Sequence, residues 1–279
     1  MTQLVADPQH PPARNVSLSL DSPELASTYE QVSVRQFNHG KVLIAALRIK
    51  SGERVLDIGC GTGRLGDYVA NIVAPGGQVV GVDPLPLRID IAAKKNPLFK
   101  AQVGRAEDLS AFADASFDVV YLNSVFHWVP DKPRALAEVL RVLKPGGRFG
   151  VNSADEDRPH QSATLVREAV REEGLTESAA ASGFGTNYRV SKSQLALLLK
   201  EAGFVDEKLD AHTFVDDVRD VDDLIAWSTS SSFGNFLSDL DEQQRARVRT
   251  RLAHKLDQRR GPQGIQLERY LVFATARKP

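Results

Sequence analysis

The chain has 279 residues, of which 42% are hydrophobic and 25% are charged, and its net charge at pH 7 is −1. This composition is typical of a globular protein with one large domain, or one domain and a cap. The charge provides no polycationic face for nucleic acid, and the single cysteine excludes an internal disulfide and a cysteine metal cluster. No apolar run is long enough to cross a membrane and no signal-peptide pattern opens the chain, so we expect a cytoplasmic protein.

The N-terminal part of the sequence predicts a tail followed by helices. Residues 1–20 are rich in proline and polar residues, which predicts a mobile tail. Apolar residues recur at helical spacing over 24–48, so we expect residues 21–48 to be N-terminal helices that close a site, with Asp21 or Ser22 as the N-cap.

Residues 49–153 alternate between strand and helix patterns. The predicted strands are residues 54–58, 78–82, 100–103, 117–122 and 147–152, and the predicted helices are residues 64–73, 86–95 and 132–143. Alternation of this kind predicts an α/β core, in which a parallel sheet carries helices on both faces.

Residues 154–279 form a second part with a different pattern. Helices are predicted at 161–173, 191–202 and, with a break at Gly234, over 221–258; strands are predicted at 204–215 and 266–276, and 174–185 is rich in small residues. The helical segment 216–262 between the last two strands predicts a helical cap, because insertions of this size in a compact fold usually carry function.

The most informative motif is VLDIGCGTG at residues 55–63. An apolar run followed by glycines predicts a buried strand and a tight turn that approaches a ligand closely. A dinucleotide fingerprint needs its third glycine at position 64, where Arg64 stands, and no Gly-Lys-Ser/Thr phosphate-binding motif is present. Asp57 before the turn suits an ammonium group, and Asp83 after the next strand suits ribose hydroxyls. The pair predicts a ligand with a ribose and an amino group but no phosphate.

Five motifs occur in the order found in class I S-adenosylmethionine-dependent methyltransferases. They are VLDIGCGTG, GQVVGVD, GRAEDL, SFDVVYLNSVFHW and RVLKPGG, within residues 50–152. The chain resembles this family, which implies a Rossmann-like, mostly parallel seven-stranded sheet whose last strand is antiparallel. It also implies S-adenosyl-L-methionine as cofactor and S-adenosyl-L-homocysteine as product.

The resemblance implies a set of cofactor-binding residues. They are Tyr29, Asp57, Gly59, Cys60, Gly61, Gly63, Asp83, Pro84, Arg105, Ala106, Glu107 and Asn123. Tyr29 is expected to contact the methionyl carboxylate, with Gln36 and His39 as weaker candidates. Family members commonly have an acid where this chain has Arg105, so the adenine contact is expected from Ala106 or Glu107 instead. Cys60 is expected to be a small residue that fits the turn.

His127 and Trp128, after the fourth strand, are the candidate catalytic residues. Trp128 offers a π face to a positively charged sulfur or serves in packing, and His127 is a base for a hydroxyl acceptor or a hydrogen-bonded wall residue. Segments 126–136, 193–204 and 224–248 loosely resemble the trans-aconitate methyltransferase family. That resemblance implies substrate contacts from Trp227, Phe233, Phe236 and Tyr188, with Arg189, Arg158 or His160 meeting a carboxylate. Alternatively, these aromatic residues form the core of the cap.

The leading hypothesis is a methyltransferase that acts on a small molecule such as a carboxylic acid. The alternatives are methylation of a hydroxyl, thiol or carbon of a secondary metabolite, and a non-catalytic cofactor-binding partner protein. Arsenite methylation is disfavoured because Cys60 is the single cysteine. We expect no metal, no nucleic-acid or membrane partner, and a monomer or homodimer.

Overall fold

The computed structural model describes residues 17–176 and 188–279, and its centre is a seven-stranded sheet. The strands are β1 (Arg54–Ile58), β2 (Gln78–Asp83), β3 (Phe99–Val103), β4 (Phe117–Asn123), β5 (Leu143–Ala154), β6 (Val205–Val218) and β7 (Ile265–Arg277). Their order across the sheet is β3-β2-β1-β4-β5-β7-β6. β1 pairs in parallel with β2 and β4, whereas β7 is antiparallel to β5 and β6. This topology confirms the predicted fold class.

Helices cover both faces of the sheet. In the described parts of the chain they are α1 (Pro23–Val32), α2 (Val34–Leu47), α3 (Arg64–Val73), α4 (Pro86–Ala92), α5 (Lys132–Val142), α6 (Gln161–Glu172), α7 (Lys192–Glu201), α8 (Val221–Ser231) and α9 (Glu242–Asp257). Apolar residues of α2, α3 and α4 pack on one face, and those of α5 and α7 pack on the other. The central strands are buried on both faces, which is why they are continuous apolar runs in the sequence.

Several element boundaries differ from the sequence prediction for local reasons. The predicted helix 24–48 is two helices, which meet at Ser33. β5 begins at Leu143, before the predicted residue 147, because Leu143 already pairs with Phe117 of β4. Ser22 does cap α1, as predicted, by accepting a hydrogen bond from the backbone nitrogen of Leu25.

Three helices, α6, α8 and α9, share an apolar cluster apart from the two faces of the sheet, and we call them the cap. Leu165, Leu224 and Leu252 represent the three helices in this cluster. The basic residues of α9 form ion pairs with neighbouring helices, for example Arg249 with Asp222 of α8. These basic side chains of α9 therefore pair with acidic residues of the cap.

The segment before α1 lies against the cap. Leu18–Leu20 forms a short 3-10 helix, and the backbone of Ser17 exchanges two hydrogen bonds with the side chain of Asn235. We call residues 17–21 the N-terminal strap. Residues 1–16 of the expected tail, and 177–187 of the small-residue segment, lie outside the described residues. None of the helices described is long and apolar enough to span a membrane.

Candidate functional site

A cavity of about 630 Å³ opens between the carboxyl ends of the strands and the cap. It is lined by predicted site residues from distant parts of the chain: Tyr29, Gln36, His39, Gly59, Gly61, Asp83, Pro84, Arg105, Ala106, Glu107, His127, Trp128, His160, Tyr188, Arg189, Trp227, Phe233 and Phe236. Binding sites of open α/β sheets lie at this edge, where the strand order reverses. The fold therefore brings most of the predicted site residues into one cavity.

A smaller cleft of about 30 Å³ adjoins the cavity beside the glycine turn. Asp57, Cys60 and Asn123 line this cleft, and Tyr29 and Gly59 line both spaces. Gly63 lines neither space. It stands at the start of α3, where a Cβ atom would lie 2.5 Å from Cε1 of Phe99.

The glycine turn has a backbone that only glycine adopts easily. Gly59 and Gly61 have φ angles of +74° and +54°. A Cβ atom on Gly59 would lie 2.2 Å from Cγ2 of Val125, and one on Gly61 would lie 3.2 Å from Cε1 of Tyr29. The turn is therefore held between α1 and the loop after β4, with its backbone exposed to the cavity.

Alanine at position 59 is expected to destabilise the fold and weaken cofactor binding. The Cβ atom combines left-handed backbone strain with overlap on Val125, which together cost roughly 2–4 kcal/mol. We expect the melting temperature of Gly59→Ala to fall by roughly 5–10 °C. The matched control is Gly52→Ala, where φ is +82° but nothing lies within 4 Å of the Cβ position. Calorimetric scans that gave equal losses for the two variants would contradict the overlap argument.

Asp57 is a buried acid with an unsatisfied oxygen. Its Oδ2 atom and the hydroxyl of Thr62 have no hydrogen-bond partner within the described chain, and both residues line the small cleft. Burial raises the pKa of Asp57 to about 7, the nearby hydroxyl of Tyr121 opposes this shift, and the charge of Asp83 adds a smaller increase. Buried polar atoms are rarely left unpaired, so these atoms fit a ligand that brings a hydrogen-bond donor, such as the ammonium of an amino acid.

Asp83 ends β2 and holds the glycine turn in place. One carboxylate oxygen accepts from the backbone nitrogen of Gly61 at 2.9 Å, and the other accepts from Leu85 at 3.0 Å. Burial raises the pKa of this acid, which the two backbone donors partly offset. Each oxygen has a further lone pair, and the residue lines the cavity, so the carboxylate can accept two hydroxyl hydrogen bonds.

Asn123 belongs to a hydrogen-bond network between the sheet and α2. Its side-chain nitrogen donates to the carbonyl of Gln36 at 3.0 Å, and its oxygen accepts from Asn152 at 2.7 Å. The side chain of Gln36 in turn accepts from the indole nitrogen of Trp227 on α8 at 3.3 Å. This network connects the end of β4 to the cap.

Two neutral histidines line the cavity. The Nδ1 atom of His160 accepts a hydrogen bond from the backbone nitrogen of Tyr270 at 3.1 Å, and because a backbone N–H can only donate, the proton of this ring is on Nε2. The Nδ1 atom of His127 lies 3.4 Å from the hydroxyl of Ser153 and 3.5 Å from the backbone nitrogen of Ala154, and since a hydroxyl can donate or accept, either ring nitrogen of His127 can carry the proton. Burial, and to a smaller extent the positive charge of Arg189, lowers the pKa of His127 to about 3. Burial also lowers the pKa of His160 well below its usual range. Both side chains are therefore hydrogen-bond donors at neutral pH.

Five arginines line the cavity: Arg88 and Arg269 are buried, Arg189 is half-buried, and Arg105 and Arg167 are exposed. Arg269 forms a buried ion pair with Asp216, with Nε 2.6 Å from Oδ2. Arg189 forms no ion pair with any residue that the structure describes, and its buried Nε has no hydrogen-bond partner there. Arg158, the other predicted arginine, is exposed and lies over the ring of Tyr270, 4.0 Å from the centroid. Among the arginines of the cavity that are not exposed, Arg189 is therefore the one without an ion pair in the described chain, which leaves it available to a ligand.

Aromatic residues form the wall of the cavity below the cap. The ring of Trp128 lies 5.0 Å from that of Phe233 and 5.3 Å from that of His127. The guanidinium carbons of Arg35 and Arg269 lie 5.7 Å and 4.3 Å from the centroid of the Trp227 ring. This wall provides an apolar surface next to the polar groups.

Among the cavity residues that sequence reasoning missed are two buried arginines, Arg88 and Arg269. Arg88 is 3% exposed and lies on α4. Arg269 lies on the same face of β7 as the apolar residues Leu267 and Leu271. The alternating pattern of this strand could therefore have indicated Arg269 as a charged residue on a buried face, whereas no local pattern indicated Arg88.

Comparisons with known proteins agree with this geometry. Residues 56–151 match the family model of a methyltransferase domain. A trans-aconitate 2-methyltransferase of Deinococcus radiodurans is 31% identical over 199 residues, which are 70% of this chain and 74% of the relative. An uncharacterized methyltransferase of Mycobacterium tuberculosis is 43% identical over 108 residues, 38% of this chain and 42% of the relative. The chain thus spans less than half the length of that relative.

Solved structures share the fold. The YcgJ protein of Bacillus subtilis has a TM-score of 0.57 at 21% identity and covers 86% of this chain and 98% of its own. Phosphoethanolamine N-methyltransferase 2 of Haemonchus contortus, in complex with S-adenosyl-L-methionine, has a TM-score of 0.58 at 19% identity and covers 92% of this chain and 57% of its own. The chain belongs to the class I S-adenosylmethionine-dependent methyltransferases, and its cofactor is S-adenosyl-L-methionine.

Proposed function

We propose that the protein methylates a carboxylate oxygen of a small molecule. The observation that carries the proposal is Arg189, a guanidinium that lines the cavity without an ion pair in the described chain. An isolated buried charge is costly, and a bound anion offsets that cost. The relative from Deinococcus radiodurans, whose name states that it acts on trans-aconitate, supports the same acceptor class.

The histidines favour an anionic acceptor over a hydroxyl. His127 and His160 line the cavity, and each neutral ring carries one N–H donor, which suits an acceptor with negative charge. A general base works best when its pKa is close to the working pH. With its pKa lowered to about 3, His127 is a poor base for a hydroxyl group. A carboxylate needs positioning and no base.

The cofactor residues are assigned by their chemistry. Asp57 accepts the methionyl ammonium, Asp83 accepts the ribose hydroxyls, and the glycine turn allows close approach of the backbone. S-adenosyl-L-methionine supplies an electrophilic methyl group on a positively charged sulfur. Arg189 holds one carboxylate oxygen of the acceptor, so that the other faces the methyl group, and the wall of Trp128 and Phe233 excludes water.

Label transfer tests this function directly. The full chain is incubated with methyl-labelled cofactor and a panel of small mono- and dicarboxylic acids, and products are analysed by mass spectrometry. We expect a labelled product that mild alkali hydrolyses to methanol and the original acid, as a methyl ester requires. A labelled product that survives alkali would overturn the carboxylate assignment, and a labelled hydroxyl or carbon would identify the alternative.

The role of His127 can be separated from that of a base. We expect His127→Gln, which keeps a donor, to retain kcat/KM within about threefold, and His127→Leu to lose about tenfold. With saturating cofactor, kcat of the unmodified protein is expected to show no inflection from His127 between about pH 5 and 9, since its pKa is about 3. If His127 were a general base, kcat/KM of both variants would fall on the order of 10²-fold or more. Equal large losses in the two variants would therefore contradict the donor role.

A further inference from the structure

Arg88 is a buried cation on α4, which begins just after the predicted ribose residue Asp83. Its guanidinium pairs with Asp21 of the N-terminal strap at 3.2 Å, and each side chain is 4% exposed. The same nitrogen donates to the carbonyl of Ser230 in α8 at 2.6 Å. One side chain therefore joins three parts of the molecule that are distant in sequence.

The guanidinium also lies between two rings. Its carbon is 4.3 Å from the centroid of the Tyr29 ring and 5.7 Å from that of Phe233. Tyr29 lies against Gly61 of the glycine turn, on the cofactor side of the cavity. Phe233 packs against Trp128, on the opposite side. Arg88 thus lies where the two halves of the cavity meet.

The strap and the cap contact each other directly at the same place. Ser17 and Asn235 exchange two hydrogen bonds, and a Cβ atom on Gly234 would lie 2.7 Å from the carbonyl oxygen of Leu20. Only Arg88 connects this contact to the end of β2 through a hydrogen-bonded ion pair among the residues described.

We propose that Arg88 is a positioning residue that holds the strap and α8 over the cofactor side of the cavity. By holding α8, Arg88 fixes the position of Phe233, which follows this helix, and Phe233 in turn fixes the orientation of the Trp128 ring. A buried ion pair contributes little net stability over an apolar pair, but its bonds are directional and fix orientation. Lysine retains the charge but lacks the planar group that stacks on rings while donating to two oxygens. The proposal is independent of the chemical class of the acceptor.

Fluorescence of Trp128 tests the proposal, because the chain has two tryptophans and Trp227→Phe leaves only this one. All variants are full-length and carry Trp227→Phe. They are the double variant Asp21→Asn with Arg88→Met, the single variant Arg88→Lys, and the control Arg249→Met, which breaks an exposed ion pair of the cap. Acrylamide quenching is measured with saturating S-adenosyl-L-homocysteine, whose affinity is measured by calorimetry.

We expect the quenching constant of Trp128 to rise at least threefold in the double variant and at least twofold in Arg88→Lys, with the control unchanged. The affinity for S-adenosyl-L-homocysteine is expected to fall between threefold and tenfold in the double variant, as Tyr29 is released from the glycine turn. The double variant removes both buried charges, so circular dichroism is expected to show a native fold. If it does not fold, Arg88→Lys decides. Quenching equal to that of the control, in whichever of these variants folds, overturns the proposal.

Discussion

Replacing Arg189 by methionine is expected to reduce kcat/KM for the carboxylic acid acceptor by about 30-fold or more. Loss of a buried charge-assisted hydrogen bond to a charged ligand costs about 2–5 kcal/mol, which corresponds to a factor of about 30 to several thousand. The affinity for S-adenosyl-L-homocysteine is expected to stay within threefold, because Asp57, Asp83 and the glycine turn are unchanged. Steady-state kinetics with the acid found by label transfer, and calorimetry with the product cofactor, measure the two effects.

The stability of Arg189→Met shows whether Arg189 acts in acceptor binding or in folding. Arg189 has no ion pair in the described chain, so its removal relieves the cost of burying an unpaired charge. We expect the melting temperature of Arg189→Met without ligands to stay the same or rise. The matched control is Arg158→Met, an exposed arginine that stacks on Tyr270, and its turnover is expected to stay within about twofold. Equal losses of turnover in the two variants, or a large loss of stability in Arg189→Met, would contradict the binding role.

This arrangement explains why stability and function diverge in the cavity. Arg189, His127 and His160 form a wall of donors with few acceptors, and burial lowers the pKa of all three. A wall of this kind is unfavourable when it faces no anion, and it becomes favourable when an anion binds. The charge balance of this part of the cavity therefore favours an anionic ligand.

The core of the fold could be predicted because its strands have local patterns. β1, β2 and β4 are apolar runs next to turn residues, and their bounds match the prediction to within a residue. The start of β5 at Leu143 was missed because it depends on pairing with Phe117, which the local pattern does not encode. The helix predicted over 24–48 contains a break at Ser33, where the helical spacing alone gave no reason for one.

The site, like the fold, has one part that local sequence patterns predict and another part that they do not. Asp57, Gly59 and Gly61 are close together in sequence, so one motif was enough to place them at the cleft and cavity. For the acceptor, the sequence left Arg158, His160 and Arg189 as alternatives, because their surroundings come from β7 and α6 rather than from their neighbours in the chain. Arg88 was missed altogether, since its partners are Asp21 and Ser230.

The affinity for the cofactor is expected to depend on pH through Asp57. Its pKa in the unliganded fold is raised to about 7, mainly by burial, so the carboxylate that accepts the methionyl ammonium is incompletely ionised near neutrality. As pH falls through this value, the protonated acid no longer attracts the ammonium. The fraction of ionised Asp57 then predicts binding about 25-fold weaker at pH 5.5 than at pH 7.5. Calorimetry at pH 6 in buffers of different ionisation enthalpy is expected to show proton release on binding.

Replacing Asp57 by asparagine tests the role of this proton in two measurements, the pH dependence of stability and the pH dependence of cofactor binding. A raised carboxyl pKa means that the unliganded fold binds a proton more tightly than the unfolded chain, so Asp57 reduces stability as pH rises towards 7. Asp57→Asn is therefore expected to melt at a higher temperature than the unmodified protein at pH 8, with the difference shrinking towards pH 5. The same variant is expected to bind the cofactor more weakly at pH 7.5 and to lose the pH dependence. Asp118→Asn removes an acid whose pKa is lowered by the donors Lys144 and Arg54, which outweigh its burial, and is expected to retain the dependence. Cofactor binding by Asp57→Asn that still weakened 25-fold at pH 5.5 would assign the proton to another group, of which Asp83, with its own raised pKa, is the nearest.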